Sequence, residues 1–280
     1  MRSLTELRRE AGGRYLAHRA GLSLVVEEGQ EHEPTILLVH GATVPHWEFD
    51  RLVPHMRAAG LRTVRFDLFG HGLSDRPAVD YNFDLFLGQA LEVLDGLGGN
   101  RPLTILGHSF GAAIAAAMAS ERPHRVERLV LVAPLLDFMA KSFLPRVFAL
   151  PGVGRPLMRR VGLPALKARR KRRYTTMGAE HFIPRYVAEA SAPGYAEALA
   201  SMFAHRTLGD QSAHYQRLQS GEREIVVVAG SQDRVVPLQD VARVRALLPP
   251  HRYLELEGAE HNLLLTHPEL VAAAIAQAVS

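Results

Sequence analysis

The chain has 280 residues, of which 47% are hydrophobic and 22% charged, a balance that is ordinary for a folded globular protein. Its formal net charge is +4, but acidic and basic residues alternate along most of the chain, which argues against the continuous basic face of a nucleic-acid-binding protein. The sequence contains no cysteine, so disulfides, thiolate zinc sites and cysteine nucleophiles are excluded.

Residues 1–19 are rich in arginine and lack an apolar stretch long enough for a signal peptide. No window of the sequence approaches the roughly 18 consecutive apolar residues of a transmembrane helix. We therefore expect a soluble, cytoplasmic protein.

Strands and helices are predicted to alternate from the start of the chain. Residues 14–18 and 22–27 are typical of a hairpin that turns at Ala20-Gly21. Buried strands are predicted at residues 35–39 and 61–66, and amphipathic helices that stop at glycine are predicted at residues 47–59 and 83–97.

The chain is organised around residues 103–121. Apolar residues 103–106 predict a buried strand, and the alanine-rich stretch after Gly111 strongly favours a helix. Between them, residues 107–111 (Gly-His-Ser-Phe-Gly) fit the pattern G-x-S-x-G, a sharp strand-to-helix turn that presents its serine at the tip of a sheet. Glycine at both flanking positions avoids a Cβ that would collide with the neighbouring elements. We predict that Ser109 is a nucleophile, the alternative being an inert serine in an ordinary turn.

After a predicted strand at residues 128–133, the alternation breaks. Residues 134–222 are helical by pattern and interrupted by prolines, which predicts a helical cap inserted between two strands. Alternation resumes with strands at residues 224–229 and 252–256 and helices at residues 238–248 and 268–279. The fold class predicted is α/β, with a mostly parallel eight-stranded sheet, helices on both faces, a core domain of residues 1–133 and 223–280, and a cap of residues 134–222.

Two further reactive side chains follow predicted strands. Asp233 comes after the strand at residues 224–229, and His261 lies in the loop before the last helix. Ligands bind beyond the carboxyl ends of parallel strands, so these loops are expected to meet Ser109 at one rim. A serine hydroxyl needs a base to react, and that base needs an orienting acid, which predicts a catalytic set of Ser109, Asp233 and His261.

The chain resembles the capped serine esterases and lipases of the α/β-hydrolase fold. The motifs that carry the resemblance span residues 38–261, namely Leu38-Val-His-Gly41, residues 67–75 (DLFGHGLSD), Gly107-His-Ser-Phe-Gly111, Gly230-Ser-Gln-Asp233 and Gly258-Ala-Glu-His261. The resemblance implies that Ser109 is the nucleophile, His261 the general base and then acid, and Asp233 the orienting carboxylate. It also implies an oxyanion hole formed by the backbone N–H groups of Ala42 and Phe110.

Several residues have alternative interpretations. Asp137, just after the strand at residues 128–133, rivals Asp233 as the acid, but Asp137 opens the cap and Asp233 is favoured. His40, His71 and His108 lie in motif loops, where we expect them to hold the loops by hydrogen bonding. No His, Asp or Glu cluster has metal-ligand spacing, so neither a metal nor a cofactor is expected.

The cap contains one concentrated basic block, formed by Lys167, Arg169, Arg170, Lys171, Arg172 and Arg173. A solvated helix face is the favoured interpretation. One alternative is weak contact with a membrane surface, since anionic lipid headgroups attract each nearby basic residue by about 1 kcal/mol. The other is anchoring of an acidic substrate or of a carrier-protein phosphate.

The sequence favours a cofactor-free hydrolase of carboxylic esters with a lipophilic acyl or alcohol part, which works through an acyl-enzyme. The expected partner is therefore a small apolar ester and not a nucleic acid, and the oligomeric state stays open. One alternative is cleavage of a carbon–carbon bond in a meta-cleavage-type dioxo acid, for which cap arginines would bind the substrate carboxylate. Another is a ligand-binding protein that kept the fold without turnover. Ser109 argues against dehalogenase and epoxide hydrolase chemistry, because those relatives carry aspartate at the turn.

Overall fold

The computed structural model describes residues 8, 12–99, 101–140, 144–150, 152–219 and 223–279. Its framework is one eight-stranded sheet, with strands β1 (Arg14–His18), β2 (Gly21–Glu28), β3 (Thr35–Val39), β4 (Arg62–Phe66), β5 (Leu103–His108), β6 (Val126–Val132), β7 (Glu224–Gly230) and β8 (Arg252–Leu256).

The strands are ordered β1-β2-β4-β3-β5-β6-β7-β8 across the sheet. The pairs β1–β2 and β2–β4 are antiparallel, and every other neighbouring pair is parallel. This arrangement confirms the predicted fold class and the opening hairpin. Because β3, β5, β7 and β8 run in the same direction, the loops that follow them lie along one edge of the sheet.

Apolar residues within each strand fill two cores, one on each face of the sheet. Leu37 and Ile105 belong to one cluster, whereas Ile36, Leu38 and Leu106 belong to the other. Successive side chains of a strand point to opposite faces, so an unbroken apolar run is needed where both faces are covered. All six residues of β5 are buried, which fixes the strand that leads into Ser109 at the centre of the molecule.

The described α-helices are α1 (Val53–Ala58), α2 (Phe83–Asp95), α3 (Phe110–Glu121), α4 (Leu144–Phe148), α5 (Gly154–Leu157), α6 (Leu163–Thr176), α7 (Ile183–Ala190), α8 (Tyr195–Ala204), α9 (Ser212–Gln216), α10 (Leu238–Leu247), α11 (Leu263–Thr266) and α12 (Pro268–Val279). None of them is both long enough and apolar enough to cross a lipid bilayer.

The helix predicted at residues 47–59 is wrong as a single element. A 3₁₀ turn, His46–Phe49, comes first, and α1 begins only at Val53. Pro54 lies in the first turn of α1, where its missing N–H is tolerated. In a continuous helix, the ring of Pro54 would clash with the carbonyl group of Asp50 and break the ladder.

The helical insertion, residues 134–219, connects β6 to β7 and contains α4 to α9. A π-helical turn, Met158–Gly162, joins α5 to α6. Helices α4 and α5 pack against α8, and α6 packs against α7. Helices α4 to α8 therefore pack mainly on one another, whereas α9 packs against α3 and α10 of the core. Side chains of the insertion line the same cavity as the loops after β3 and β5.

Candidate active site

Ser109 lies at the turn between β5 and α3 with a strained backbone. Its φ is 55° and its ψ is −115°, a combination that non-glycine residues rarely adopt. A Cβ on Gly107 would overlap the carbonyl oxygen of Gly111, and one on Gly111 would overlap the carbonyl oxygen of Val39. The Ser109 N–H donates to the carbonyl oxygen of Val132 at 2.9 Å, which ties the turn to β6. Close packing on both sides therefore imposes the strained conformation.

His261 and Asp233 form a buried pair beyond β7 and β8. His261 Nδ1 lies 2.7 Å from Asp233 Oδ2, and both side chains are almost fully buried. The other carboxylate oxygen of Asp233 accepts the backbone N–H groups of Val235 and Val236 at 2.7 and 2.9 Å. Asp137 instead accepts the backbone N–H of Ala140. Asp233, and not Asp137, is therefore the carboxylate that contacts His261.

The surroundings of His261 favour its neutral form. Burial lowers its pKa most strongly, Asp233 opposes that effect, and His108 and Arg170 add to the lowering, so that the pKa falls below the ordinary 6.5. Burial would raise the pKa of Asp233, but His261 and the hydrogen bonds to this carboxyl group lower it overall. A charged Asp233 accepts a hydrogen bond, so the proton of a neutral His261 lies on Nδ1 and leaves Nε2 able to accept another.

Ser109 and His261 open onto the same cavity of about 350 Å³. The hydrogen bonds of the described residues do not include one between the Ser109 hydroxyl and His261 Nε2, a contact that in many enzymes tightens only when substrate binds. The cavity walls are mainly apolar, formed by Leu135, Phe138, Phe148, Met158, Leu166, Leu199, Phe203 and Leu208. No group of three or more His, Asp or Glu side chains in the described part of the chain is arranged to hold a metal ion.

The loop after β3 lines the cavity beside Ser109. Gly41 and Ala42 both contribute to its wall. His71 Nε2 lies 2.9 Å from the carbonyl oxygen of Ala42, and His40 Nε2 accepts the backbone N–H of Leu68 at 2.8 Å. These contacts confirm that His40 and His71 hold loops. The N–H of Phe110 belongs to the first turn of α3, where backbone N–H groups have no partner within the helix and attract anions.

Glu48 is a site residue that the sequence did not reveal. It lies in the 3₁₀ turn and is 4% exposed, with one carboxylate oxygen accepting the Gly41 N–H at 2.9 Å. Both of its oxygens lie 3.1 Å from His108 Nδ1, and His108 Nε2 lies 3.0 Å from the carbonyl oxygen of His261. His108 therefore holds the loops as predicted, but its carboxylate partner came from a segment predicted to be an ordinary amphipathic helix.

Arg170 faces the cavity, so the prediction of a solvated basic face is wrong for this residue. Its guanidinium donates to Asn262 Oδ1 at 2.9 Å and to Thr43 Oγ1 at 2.8 Å, and it lies over the rings of Tyr174 and Tyr186. Arg170 lines the cavity, and no carboxylate among the described residues lies within ion-pair distance of it.

The other residues of the basic block are divided between two environments. Arg173 pairs with Glu260 at 2.8 Å, and the ammonium group of Lys167 donates to Ser191 Oγ at 2.7 Å. Arg169, Lys171 and Arg172 are exposed, although Arg169 also reaches the cavity wall. The helix therefore presents one cationic edge to the cavity and another to solvent.

Spacing along α6 could have signalled that Arg170 faces inward. Leu163, Leu166, Arg170 and Tyr174 recur at intervals of three or four residues, which places them on one face of the helix. Leu163 and Tyr174 on that face are buried. For Glu48, the nearest signal is its position between Trp47 and Phe49, both of which are buried.

Comparisons with known proteins place this geometry in a family. The family model described as alpha/beta hydrolase fold matches residues 34–268. The chain is 30% identical to 2-hydroxy-6-oxo-2,4-heptadienoate hydrolase of Pseudomonas putida over 223 residues, which cover 77% of this chain and 78% of that protein. It is also 30% identical to haloalkane dehalogenase 2 of Mycobacterium bovis over 259 residues, which cover 89% and 88% of the two chains.

A solved structure gives the same result for the fold. A hydrolase from Pseudomonas aeruginosa PA01 superposes with a TM-score of 0.78 and covers 96% of this chain and 98% of its own, at 23% sequence identity. The family match extends from β3 to the start of α12 and includes the loops that carry Ser109, Asp233 and His261. The chain belongs to the alpha/beta hydrolase fold family.

Proposed function

We propose that this member of the hydrolase family cleaves carboxylic esters by nucleophilic catalysis, with Ser109 as nucleophile. The observation that carries the proposal is the 2.7 Å contact between His261 and Asp233, in a cavity that His261 shares with the strained Ser109. Such a pair supplies the base that a serine hydroxyl needs and the acid that orients the base. A neutral His261 is ready to take the proton.

The proposed reaction uses groups that line the cavity. The Ser109 hydroxyl oxygen attacks the ester carbonyl carbon while His261 Nε2 takes the hydroxyl proton. The N–H groups of Ala42 and Phe110 stabilise the oxyanion that forms. When the tetrahedral intermediate collapses, the alcohol leaves with the proton from His261 and the acyl group stays on Ser109. Water, deprotonated by His261, attacks that acyl group and releases the acid.

The helical insertion supports a lipophilic substrate, and we assign it the role of a cap. Phe138, Phe148 and Met158, all from the insertion, line the cavity opposite Ser109. A volume of about 350 Å³ lies within the range of small-molecule sites, roughly 300 to 1,000 Å³, which are mostly apolar with a few placed polar groups. An acyl chain or ring of moderate size suits this space.

A panel of 4-nitrophenyl esters with increasing acyl length tests the proposal. The wild-type protein is expected to hydrolyse them with an optimum at a chain length that fills the apolar cavity, and Ser109→Ala is expected to abolish turnover. Labelling by a fluorophosphonate probe should occur in the wild-type protein and not in the variant. Absence of both turnover and labelling would favour the non-catalytic, ligand-binding alternative.

A second candidate, cleavage of a carbon–carbon bond in a dioxo acid, is favoured by Arg170. Its guanidinium lines the cavity, and no carboxylate among the described residues pairs with it, so it suits a substrate carboxylate. The P. putida relative is named for a hydroxy-oxo-dienoate, which carries such a group. The similarity to a protein named a haloalkane dehalogenase does not lead us to propose dehalogenation, because this chain has serine at the turn.

Paired substrates separate the two candidates. The protein would be assayed with a 2-hydroxy-6-oxo-dienoate and with a neutral ester of similar size, each in the wild-type and Ser109→Ala forms. Ester cleavage as the main activity predicts the higher kcat/KM for the neutral ester. A higher kcat/KM for the dienoate, lost in Ser109→Ala, would favour carbon–carbon cleavage.

A further inference from the structure

Glu48 and His108 connect three segments of the candidate active site. The Glu48 carboxylate accepts the N–H of Gly41, which directly precedes the proposed oxyanion donor Ala42. Its other contact is His108, the residue directly before Ser109. His108 in turn reaches the backbone of His261. One buried carboxylate and one imidazole thus link the oxyanion loop, the nucleophile turn and the loop of the base.

The hydrogen-bonding partners of His108 define its protonation. Its Nε2 faces the carbonyl oxygen of His261, which can only accept, so Nε2 carries a hydrogen. Its Nδ1 faces the carboxylate of Glu48, which when ionised also only accepts, so Nδ1 carries a hydrogen as well. Burial alone would lower the pKa of His108, but Glu48 and its hydrogen bond raise it overall. The geometry therefore corresponds to an imidazolium paired with a carboxylate.

Both members of the pair are shielded from water. Glu48 is 4% exposed and His108 is 3% exposed. Buried ions are stable only when they are paired and their remaining hydrogen-bonding groups are satisfied. Glu48 meets this condition through Gly41, and His108 meets it through His261. Removing either side chain would leave the other as an unpaired ion beside the reacting groups.

We infer that Glu48 and His108 are positioning residues of this site, which orient the oxyanion loop and keep His261 in its neutral, proton-accepting form. The inference rests on the proposed function, because it gives the pair a purpose in acyl transfer. The first effect follows from the fixed Gly41 N–H, which sets the orientation of the chain at Ala42. The second follows from the position of the His108 cation, whose ring centroid is 4.9 Å from that of His261.

Charged groups from several elements lie around the cavity that His261 lines. They are Asp233 after β7, His108 and Glu48 beside the nucleophile turn, Arg170 from α6, and Arg173, also from α6, which is paired with Glu260. Both His108 and Arg170 lower the pKa of His261, and Asp233 raises it. Loss of the His108 charge should therefore raise the pKa of His261. A larger fraction of His261 would then be protonated, and so inactive as a base, at mildly acidic pH.

Two substitutions of Glu48 separate charge from position. Glu48→Gln removes the negative charge but keeps the shape. Its amide oxygen can still accept the Gly41 N–H, and its amide nitrogen can donate to a neutral His108. Plateau kcat is expected to stay within a factor of about three, because the geometry is kept, while the acid limb of the kcat/KM profile moves to higher pH. Glu48→Ala removes both contacts and is expected to lower plateau kcat by about 10²-fold with little change in KM, the size of effect seen when an oxyanion donor is lost.

Asp50→Asn is the matched control. Asp50 lies next to the same 3₁₀ turn and pairs with Arg65 and Arg185, away from the cavity. The kcat and pH profile of Asp50→Asn should match those of the wild-type protein. Circular dichroism and thermal unfolding identify any variant that fails to fold, and if Glu48→Ala does fail, Glu48→Gln still decides the inference.

Histidine NMR gives a readout that does not depend on turnover. The imidazole signals of His261, assigned with His261→Asn, are expected to titrate at higher pH in Glu48→Gln than in the wild-type protein. An unchanged His261 titration and an unchanged pH profile in Glu48→Gln would overturn the inference, as would wild-type kcat in folded Glu48→Ala. If Ser109→Ala retains full turnover, the proposed function fails, whereas the NMR titration still tests the pair.

Discussion

The loops at the edge of the sheet and the helical insertion above them bring different kinds of side chain to one cavity. The loops contribute Ser109 and the pair His261–Asp233, each held by hydrogen bonds to neighbouring backbone or side-chain groups. The insertion contributes apolar walls and one guanidinium, that of Arg170. Under the proposed function, the loops make and break bonds, whereas the insertion selects what is bound. Changes in the loops should lower kcat for every substrate, and changes in the insertion should alter the ratio of kcat/KM between substrates.

Replacing the proposed nucleophile should have the largest effect on kcat. Ser109→Ala removes the attacking oxygen while the cavity stays intact, so kcat for any ester should fall by about 10⁴- to 10⁶-fold with substrate binding largely kept. Steady-state kinetics and calorimetric titration with a product acid would measure the two properties. Wild-type turnover in the variant would contradict the role of Ser109.

Substitution of the two candidate acids, Asp233 and Asp137, should lower kcat by very different factors. Asp233→Asn would present an amide N–H to His261 Nδ1 and force the imidazole proton onto Nε2, which could then no longer accept the serine proton. We expect kcat to fall by about 10⁴-fold. Asp137→Asn, the matched control, should change kcat less than about threefold, because Asp137 contacts Ala140 and not His261. Equal losses of kcat in the two variants would contradict the assignment of Asp233 as the orienting acid.

Arg170 should affect selectivity more than rate. Arg170→Gln keeps a side chain that can still hydrogen-bond Thr43 or Asn262 but removes the cavity cation. We expect kcat/KM for an ester that also bears a carboxylate to fall by about 10²-fold, the size of effect of losing one partner of a buried charge pair, with a much smaller fall for the neutral ester. Exposed Arg172→Gln should leave the ratio unchanged. Equal losses for both esters in Arg170→Gln would show that the guanidinium does not select charge.

The pH dependence of kcat/KM should reflect the pKa of His261. The base accepts a proton only when neutral, and the pKa of His261 is lowered below the ordinary 6.5. The specificity constant kcat/KM should therefore rise with pH through a midpoint below 6.5 and stay high at neutral pH. A profile of initial rates for a neutral ester between about pH 4.5 and 8 measures this midpoint. A midpoint above 6.5 would contradict the electrostatic account.

The smallest expected change in free energy concerns vesicle binding by the solvent-facing edge of α6. Lys171 and Arg172 are exposed, and contact with an anionic bilayer through this edge would strengthen binding by about 1 kcal/mol for each basic residue. Co-sedimentation with vesicles of phosphatidylglycerol and phosphatidylcholine should then weaken by about tenfold or more in the double variant Lys171→Gln/Arg172→Gln. Binding that is absent in both proteins would leave this edge as a solvated face.

Much of the loop region could be predicted from the sequence, because its chemistry is tied to local pattern. An apolar strand, two glycines and an alanine-rich helix fix the turn at Ser109, and the contact between Asp233 and His261 follows once parallel strands end at one edge. Asp137 and Asp233 both follow strands. The sequence favoured Asp233, and the three-dimensional geometry shows that Asp233 is the one that contacts His261.

The orientations of Glu48 and Arg170 could not be predicted in the same way. A glutamate in a predicted amphipathic helix and an arginine in a run of basic residues both resemble solvated side chains. Pro54 interrupts the helix predicted at residues 47–59 and leaves Glu48 in a tight turn against the core. Arg170 faces inward because α6 packs beside α7, with Tyr174 and Tyr186 around the guanidinium. Such orientations depend on contacts between distant segments, which periodicity does not encode.

Trapping the covalent intermediate tests the central claim most directly. The protein would be mixed with a slowly deacylated 4-nitrophenyl ester, quenched in acid within the burst phase, and examined by intact mass and peptide mapping. The account predicts a single acyl adduct on the peptide that contains Ser109, present in the wild-type protein and absent in Ser109→Ala. Ester turnover without an adduct, or with an adduct on another residue, would contradict it.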